Sequence, residues 1–105
     1  LEPVVRRAAF FRLSRSGRFE AVRFLIRLAR ESDGAVAREA AAAIDTIVAL
    51  HGGPRASVEH WLHLAGDMAR RGKRGRAGRI LCCALRLSRY CGLDSEALFR
   101  PSAAA

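Results

Sequence analysis

Apolar residues return at intervals of three and four over most of the chain, and each run stops at a short break carrying glycine, serine or proline. Residues at i, i+3, i+4 and i+7 share one face of an α-helix, so this spacing commits the chain to helices packed on helices. No stretch alternates apolar with polar positions and β-branched side chains, so no strands are expected. The expected fold is all-α, with about five helices in a single domain over residues 1–100 and a flexible tail at 101–105.

The breaks place the helices. The first is expected from Pro3 to Arg15, with Pro3 in the first turn, where its missing N–H costs nothing. The second runs from Arg18 to Glu31 on Phe19, Val22, Leu25, Ile26 and Ala29, with Phe24 and Leu28 widening the apolar side. Ser32 or Asp33 is the expected cap of the third, Ala35 to Leu50, which is rich in alanine and carries Val36, Ala40, Ala43, Ile44, Ile47 and Val48 on one stripe. His51-Gly52-Gly53-Pro54 stops it. The fourth, Ala56 to Arg71, buries Val58, Trp61, Leu62, Ala65, Met68 and Ala69; the fifth, Arg76 to Tyr90, packs through Ala77, Ile80, Leu81, Ala84, Leu85 and Ser88. Asp94 or Ser95 caps a last short turn through Phe99.

The fourth and fifth helices echo the second and third. Val22, Leu25 and Ala29 align with Trp61, Leu64 and Met68, 39 residues later, and Val36, Ala40, Ala43 and Ile44 with Ala77, Leu81, Ala84 and Leu85, 41 residues later. A period near 40 residues falls in the range of helical-repeat proteins. The run Gly17-Arg18-Phe19-Glu20-Ala21-Val22-Arg23-Phe24-Leu25-Ile26-Arg27-Leu28 resembles the second helix of an armadillo repeat. Ser32-Asp33-Gly34-Ala35-Val36 resembles the turn that follows, and Glu39-Ala40 through Ala43-Ile44 and Ile47 the third helix. The armadillo/HEAT resemblance covers residues 17–52 well and 55–92 less so, since Gly72-Lys73-Arg74-Gly75 replaces the acidic turn. Trp61, Leu64, Ala65, Gly72, Ala77, Leu81 and Ala84 are also similar to a tetratricopeptide repeat, and a plain helical bundle accounts for much of the same pattern. Two units are few for a solenoid, so the ends call for more chain, a partner or a second copy in a homo-oligomer.

Charge is the second constraint. Among the 105 residues, 19 are basic and 10 acidic, a formal charge of +9 that favours anionic partners. Arg outnumbers Lys 18 to 1, a bias that genome composition also produces. The densest cluster is Arg70, Arg71, Lys73, Arg74, Arg76 and Arg79, where Gly72, Gly75 and Gly78 are expected to keep the first part loose. Arg86 and Arg89 continue it along the fifth helix, and Arg23, Arg27 and Arg30 form a second stripe on the second helix. Such clusters suit carboxylate and phosphate groups. The armadillo resemblance implies an extended peptide on the third helices, and the arginines make it an acidic one; the family's groove pattern of Asn and Trp is absent. For nucleic acid only Tyr90 stands near the cations as a stacking platform, so binding would be to the backbone.

Catalytic and metal motifs are missing. His60, His63 and Asp67 share a side of the fourth helix without a second pair of ligands. Cys82 or Cys83 with His60 or His63 lacks a group to orient the base. Cys82, Cys83 and Cys91 make no spaced pair, which speaks for a reducing compartment and packing as small hydrophobes. Leu62 with Gly66-Asp67, flanked by Val58, Ala65 and Ala69, resembles the pro-apoptotic interaction helix of the B-cell-lymphoma regulator family, which implies docking into a partner's groove. No apolar run reaches the roughly 18 residues of a membrane span, and no secretory signal is seen. These features point to a non-enzymatic, intracellular (cytoplasmic or nuclear) interaction module, an adaptor, scaffold or regulator without cofactor, that binds an acidic protein segment. The alternatives are a nucleic-acid-binding helical domain and an apoptosis-regulator-type helix at 58–69.

Overall fold

The computed structural model describes residues 2–94 together with Glu96 and Leu98. Five helices follow one another: α1 Pro3–Arg15, α2 Phe19–Glu31, α3 Gly34–Leu50, α4 Pro54–Arg70 and α5 Arg74–Tyr90. No strand occurs among the described residues. The tail expected at 101–105 lies outside them, and of the last turn through Phe99 only Glu96 and Leu98, both helical, are described.

Local chemistry sets the punctuation. Pro3 and Pro54 stand in the first turns of α1 and α4. The helices α3, α4 and α5 are each 17 residues long and each end two residues before a glycine, at Gly52, Gly72 and Gly92. These three glycines take φ of 99°, 79° and 70°, the left-handed region that Cβ disfavours. The chain folds back over each helix end in the same way. The N–H of Gly53, Lys73 and Leu93 donates to the carbonyl of Val48, Met68 and Ser88 at 2.9, 2.9 and 3.0 Å. This is the Schellman stop, which satisfies carbonyls that the helix leaves over.

Two expectations fail at the helix starts. Neither Ser32 nor Asp33 makes a side-chain cap to α3; Asp33 holds the N-cap position in extended conformation without that bond. The segment after Gly72 is not loose: α5 begins at Arg74, so Gly75 and Gly78 are helical and only Arg71, Gly72 and Lys73 form the turn. Local glycine content lowers helix propensity by roughly 1 kcal/mol per residue, which the packing of Ala77 and Ile80 overrides.

Each of α2 to α5 packs on its neighbour in the chain, most closely within the hairpins α2–α3 and α4–α5, and α5 also lies along α2. Arg76 of α5 reaches the ring of Phe19 at the start of α2, and Arg30 near the end of α2 lies over Tyr90 at the end of α5. The two helices therefore run with the same polarity. The Sγ of buried Cys83, midway along α5, lies 3.7 Å from the carbonyl of Phe19 at the start of α2. The molecule measures 50 × 28 × 23 Å, its long axis about twice the roughly 25 Å of a 17-residue helix. The second hairpin is joined to the first through its middle, at Trp61 and Cys83.

The core threads through this overlap. Val22, Leu25, Ile44, Val58, Trp61, Ile80 and Leu87 are almost wholly buried. The internal echo survives in burial, with a shift: Ala40, Ala43, Ile44, Ile47 and Val48 of α3 recur as Ile80, Cys83, Ala84, Leu87 and Ser88 of α5, forty residues later. The expected offset of 41 residues was one too many. In consequence Leu81 is exposed and Leu85 only half-buried, while Cys83 and Leu87, left out of the expected face, lie in the core. Phe24 and Ala69 are likewise exposed rather than packed. Of the cysteines expected to pack as small hydrophobes, Cys83 is buried and Cys91 half-buried, but Cys82 faces outward. No helix among the described residues is long and apolar enough to cross a membrane.

α1 sits on α3, with lighter contact to α2. Phe10 supplies its buried apolar side chain, and Arg6 fixes its direction, donating from Nε and Nη2 to the Glu39 carboxylate at 2.5 and 3.1 Å. Arg7 adds a longer bond of 3.5 Å to the same group. The hydrogen bond from Arg6 holds Glu39 below the usual carboxylate range.

Candidate functional site

The two arginine stripes meet. Because α5 lies along α2 with matching polarity, Arg86 comes beside Arg23 and Arg27, and these three line one shallow depression with Glu20 and Phe24. Its volume is ≈ 270 Å³. Arg30 and Arg76 flank it, each with its guanidinium over an aromatic face, at 5.7 Å from the Tyr90 centroid and 5.3 Å from that of Phe19. Such stacking orients the planar cation and leaves its edges open for hydrogen bonding. Glu20 is the acidic member. Its carboxylate is held below the usual range first by its own backbone N–H at the start of α2, then by Arg18.

The other basic residues lie apart from this depression. Arg70, Arg71, Lys73 and Arg74 stand at the far tip of the α4–α5 hairpin and are exposed. Arg70 pairs with Asp67, and Arg27 with Glu31 at 3.0 Å. Arg71, Lys73, Arg74, Arg79, Arg86 and Arg89 have no acidic partner within ion-pairing distance among the described residues. The sequence cluster 70–79 is thus divided between a hairpin tip and the outer side of α5.

The histidines are arranged differently from their spacing. His51, distant from the others in sequence, stacks on His60 with centroids 4.2 Å apart, and both meet the edge of Trp61. His51 Nδ1 shares a hydrogen bond of 2.7 Å with buried Ser57 Oγ. Burial, and then the charge of His60, push the His51 pKa below its ordinary value. His63 borders a small hollow with Leu62, Gly66 and Arg70. Among the described residues no three His, Cys, Asp or Glu side chains converge as metal ligands. Burial drives the Cys83 thiol up to about 12, far from the thiolate a nucleophile needs. Trp61 Nε1 is buried with no hydrogen-bond acceptor among the described residues. Leu62 is half-buried and Asp67 exposed, on a helix whose Val58 and Trp61 are locked in the core.

A second surface was not foreseen. Val4, Val5, Ala8 and Ala9 lie on the side of α1 nearly opposite Phe10 and Ser14, and with Leu13, Ala21 and Phe24 they line an open groove between α1 and α2. Its volume is ≈ 910 Å³. Val4, Val5 and Phe24 are 68%, 51% and 49% exposed. The sequence carries a signal for it: the apolar residues of α1 run round the helix, more than one packing face can cover. Arg12, Arg18 and Glu20 stand on its rim.

Comparison with protein-family models, with curated proteins and with solved structures gave no match.

Proposed function

We propose that this chain is a non-enzymatic protein-interaction module, and that the joint face of α2 and α5 binds an acidic segment of a partner protein. The observation that carries this reading is the meeting of Arg23, Arg27 and Arg86 around one depression. Arg27 is paired with Glu31, but Arg23 and Arg86 have no ion-pair partner among the described residues, and a carboxylate-bearing partner supplies the missing counter-charge. Arginine suits the task because its planar fork engages carboxylates by two parallel hydrogen bonds. Exposed Phe24 in the same depression adds apolar contact, which a purely phosphate-binding surface does not need. An armadillo- or HEAT-like scaffold is compatible with the helical hairpins but is not required for this reading.

The test is binding of acidic peptides and of mixed DNA and RNA across a salt series. The variant Arg23→Gln/Arg27→Gln/Arg86→Gln is compared with Arg71→Gln/Lys73→Gln/Arg74→Gln at the hairpin tip. Acidic peptide binding lost in the first variant, with a residue insensitive to salt, supports the proposal. Nucleic-acid binding with a steep salt slope, lost at the tip instead, replaces it with a nucleic-acid-binding domain.

A further inference from the structure

We infer that the groove between α1 and α2 takes an amphipathic acidic helix of the partner, so that its apolar stripe lies on Val5, Ala9 and Phe24 while its flanking carboxylates reach the arginines of the neighbouring depression. This rests on the reading above and names the form of the ligand. Phe24 belongs to both surfaces: it lines the apolar groove and the depression of Arg23, Arg27 and Arg86. A ligand seated in the groove therefore passes beside those cations.

The groove selects its occupant by exclusion as well as by fit. Both walls are α-helices whose backbone groups are bonded internally, so there is no sheet edge for an extended peptide to join. What the walls offer is side-chain packing, and the small residues Ala8, Ala9 and Ala21 leave room for a helix to approach. Helix α1 is 13 residues long, about 20 Å, which matches the contact length of a three- to four-turn ligand helix. A second copy of this chain is a poor occupant. The arginine that α1 places on the groove is Arg12, Arg18 stands beside it, and the chain carries +9. Two copies would bring like charges together, whereas an acidic helix meets Arg12 at the rim and Arg23, Arg27 and Arg86 beyond Phe24.

The probe is a synthetic peptide of about four helical turns, with leucines at i, i+3, i+4 and i+7 and glutamates on the flanks. A scrambled peptide of equal composition and a polyglutamate peptide serve as controls. Fluorescence anisotropy reads binding to the whole chain, to Val5→Gln/Phe24→Gln and to Arg23→Gln/Arg27→Gln/Arg86→Gln, with circular dichroism checking that each variant is folded. Val5 and Phe24 are about half exposed and stand outside the core cluster, so their replacement leaves the core intact. The expected result is preference for the amphipathic peptide, weakened about tenfold or more by either variant, with only the contribution of the arginines falling as salt rises. Equal binding of scrambled and amphipathic peptides, with Val5→Gln/Phe24→Gln harmless, overturns the groove inference and leaves the acidic-segment reading standing. No binding of any acidic peptide at low salt overturns both. Binding to anionic phospholipid vesicles that depends on Val5 and Phe24, in place of peptide binding, makes the groove a membrane-contacting surface and also overturns the inference.

Discussion

Replacing Leu87 by alanine tests the packing of α5 more sharply than any other single change, when it is set beside the same replacement at Leu81. Leu87 is 0% exposed and sits on the side of α5 that carries Ile80, Cys83 and Ala84 into the core. Removing its three terminal carbons leaves a cavity, and such changes cost 2–5 kcal/mol, so about 3 kcal/mol is expected here. Leu81 is 40% exposed and its loss opens no closed cavity; the expected cost is about 1 kcal/mol or less. Alanine is also at least as good a helix former as leucine, so propensity does not blur the contrast. Urea unfolding followed by Trp61 fluorescence and by helical ellipticity gives both values. For a domain of this size the Leu87→Ala melting point falls by roughly 12 °C or more, and that of Leu81→Ala by a few degrees. Equal costs, or a larger cost at Leu81, would mean that α5 packs through the face its sequence alignment with α3 first indicates, and the forty-residue register would be wrong.

Three further outcomes follow from the same geometry. A thiol reagent added to the native protein labels Cys82 first, while Cys83, buried and with its thiol raised to about 12, stays unlabelled until unfolding; early labelling of Cys83 would contradict its place in the core. The folded-state pKa of His51 lies below the ordinary 6.5, so its neutral form contributes stability that is complete above 6.5 and is lost as pH falls through the depressed value; a chemical-shift titration of the ring locates that value, and His51→Gln flattens the stability profile over this window. Glu39 is depressed by the bond from Arg6, so its contribution is present above the ordinary 4.5 and is lost as pH falls below it; Glu39→Gln removes this acid dependence and speeds amide exchange in α1, whereas unchanged exchange would show that Phe10 alone holds the helix.

What the sequence by itself determined is local. The number of helices, their approximate bounds and their stops follow from apolar spacing, from prolines in first turns and from Gly52, Gly72 and Gly92, because backbone hydrogen bonds and φ preferences act between near neighbours. Trp61 as a core anchor was legible for the same reason, lying squarely on one apolar face. Tertiary structure decided which face of α5 goes inside. Leu81 and Leu85 compete with Cys83 and Leu87 on one helix, and a shift of one residue turns a helix by 100°, so only the partner helix can choose. It also decided that α5 runs along α2 with matching polarity, which unites Arg23, Arg27 and Arg86 across some sixty residues of chain. The groove beside α1 depends on it again: Val4 and Val5 stay exposed because α3 has one face of α1 to cover and covers Phe10.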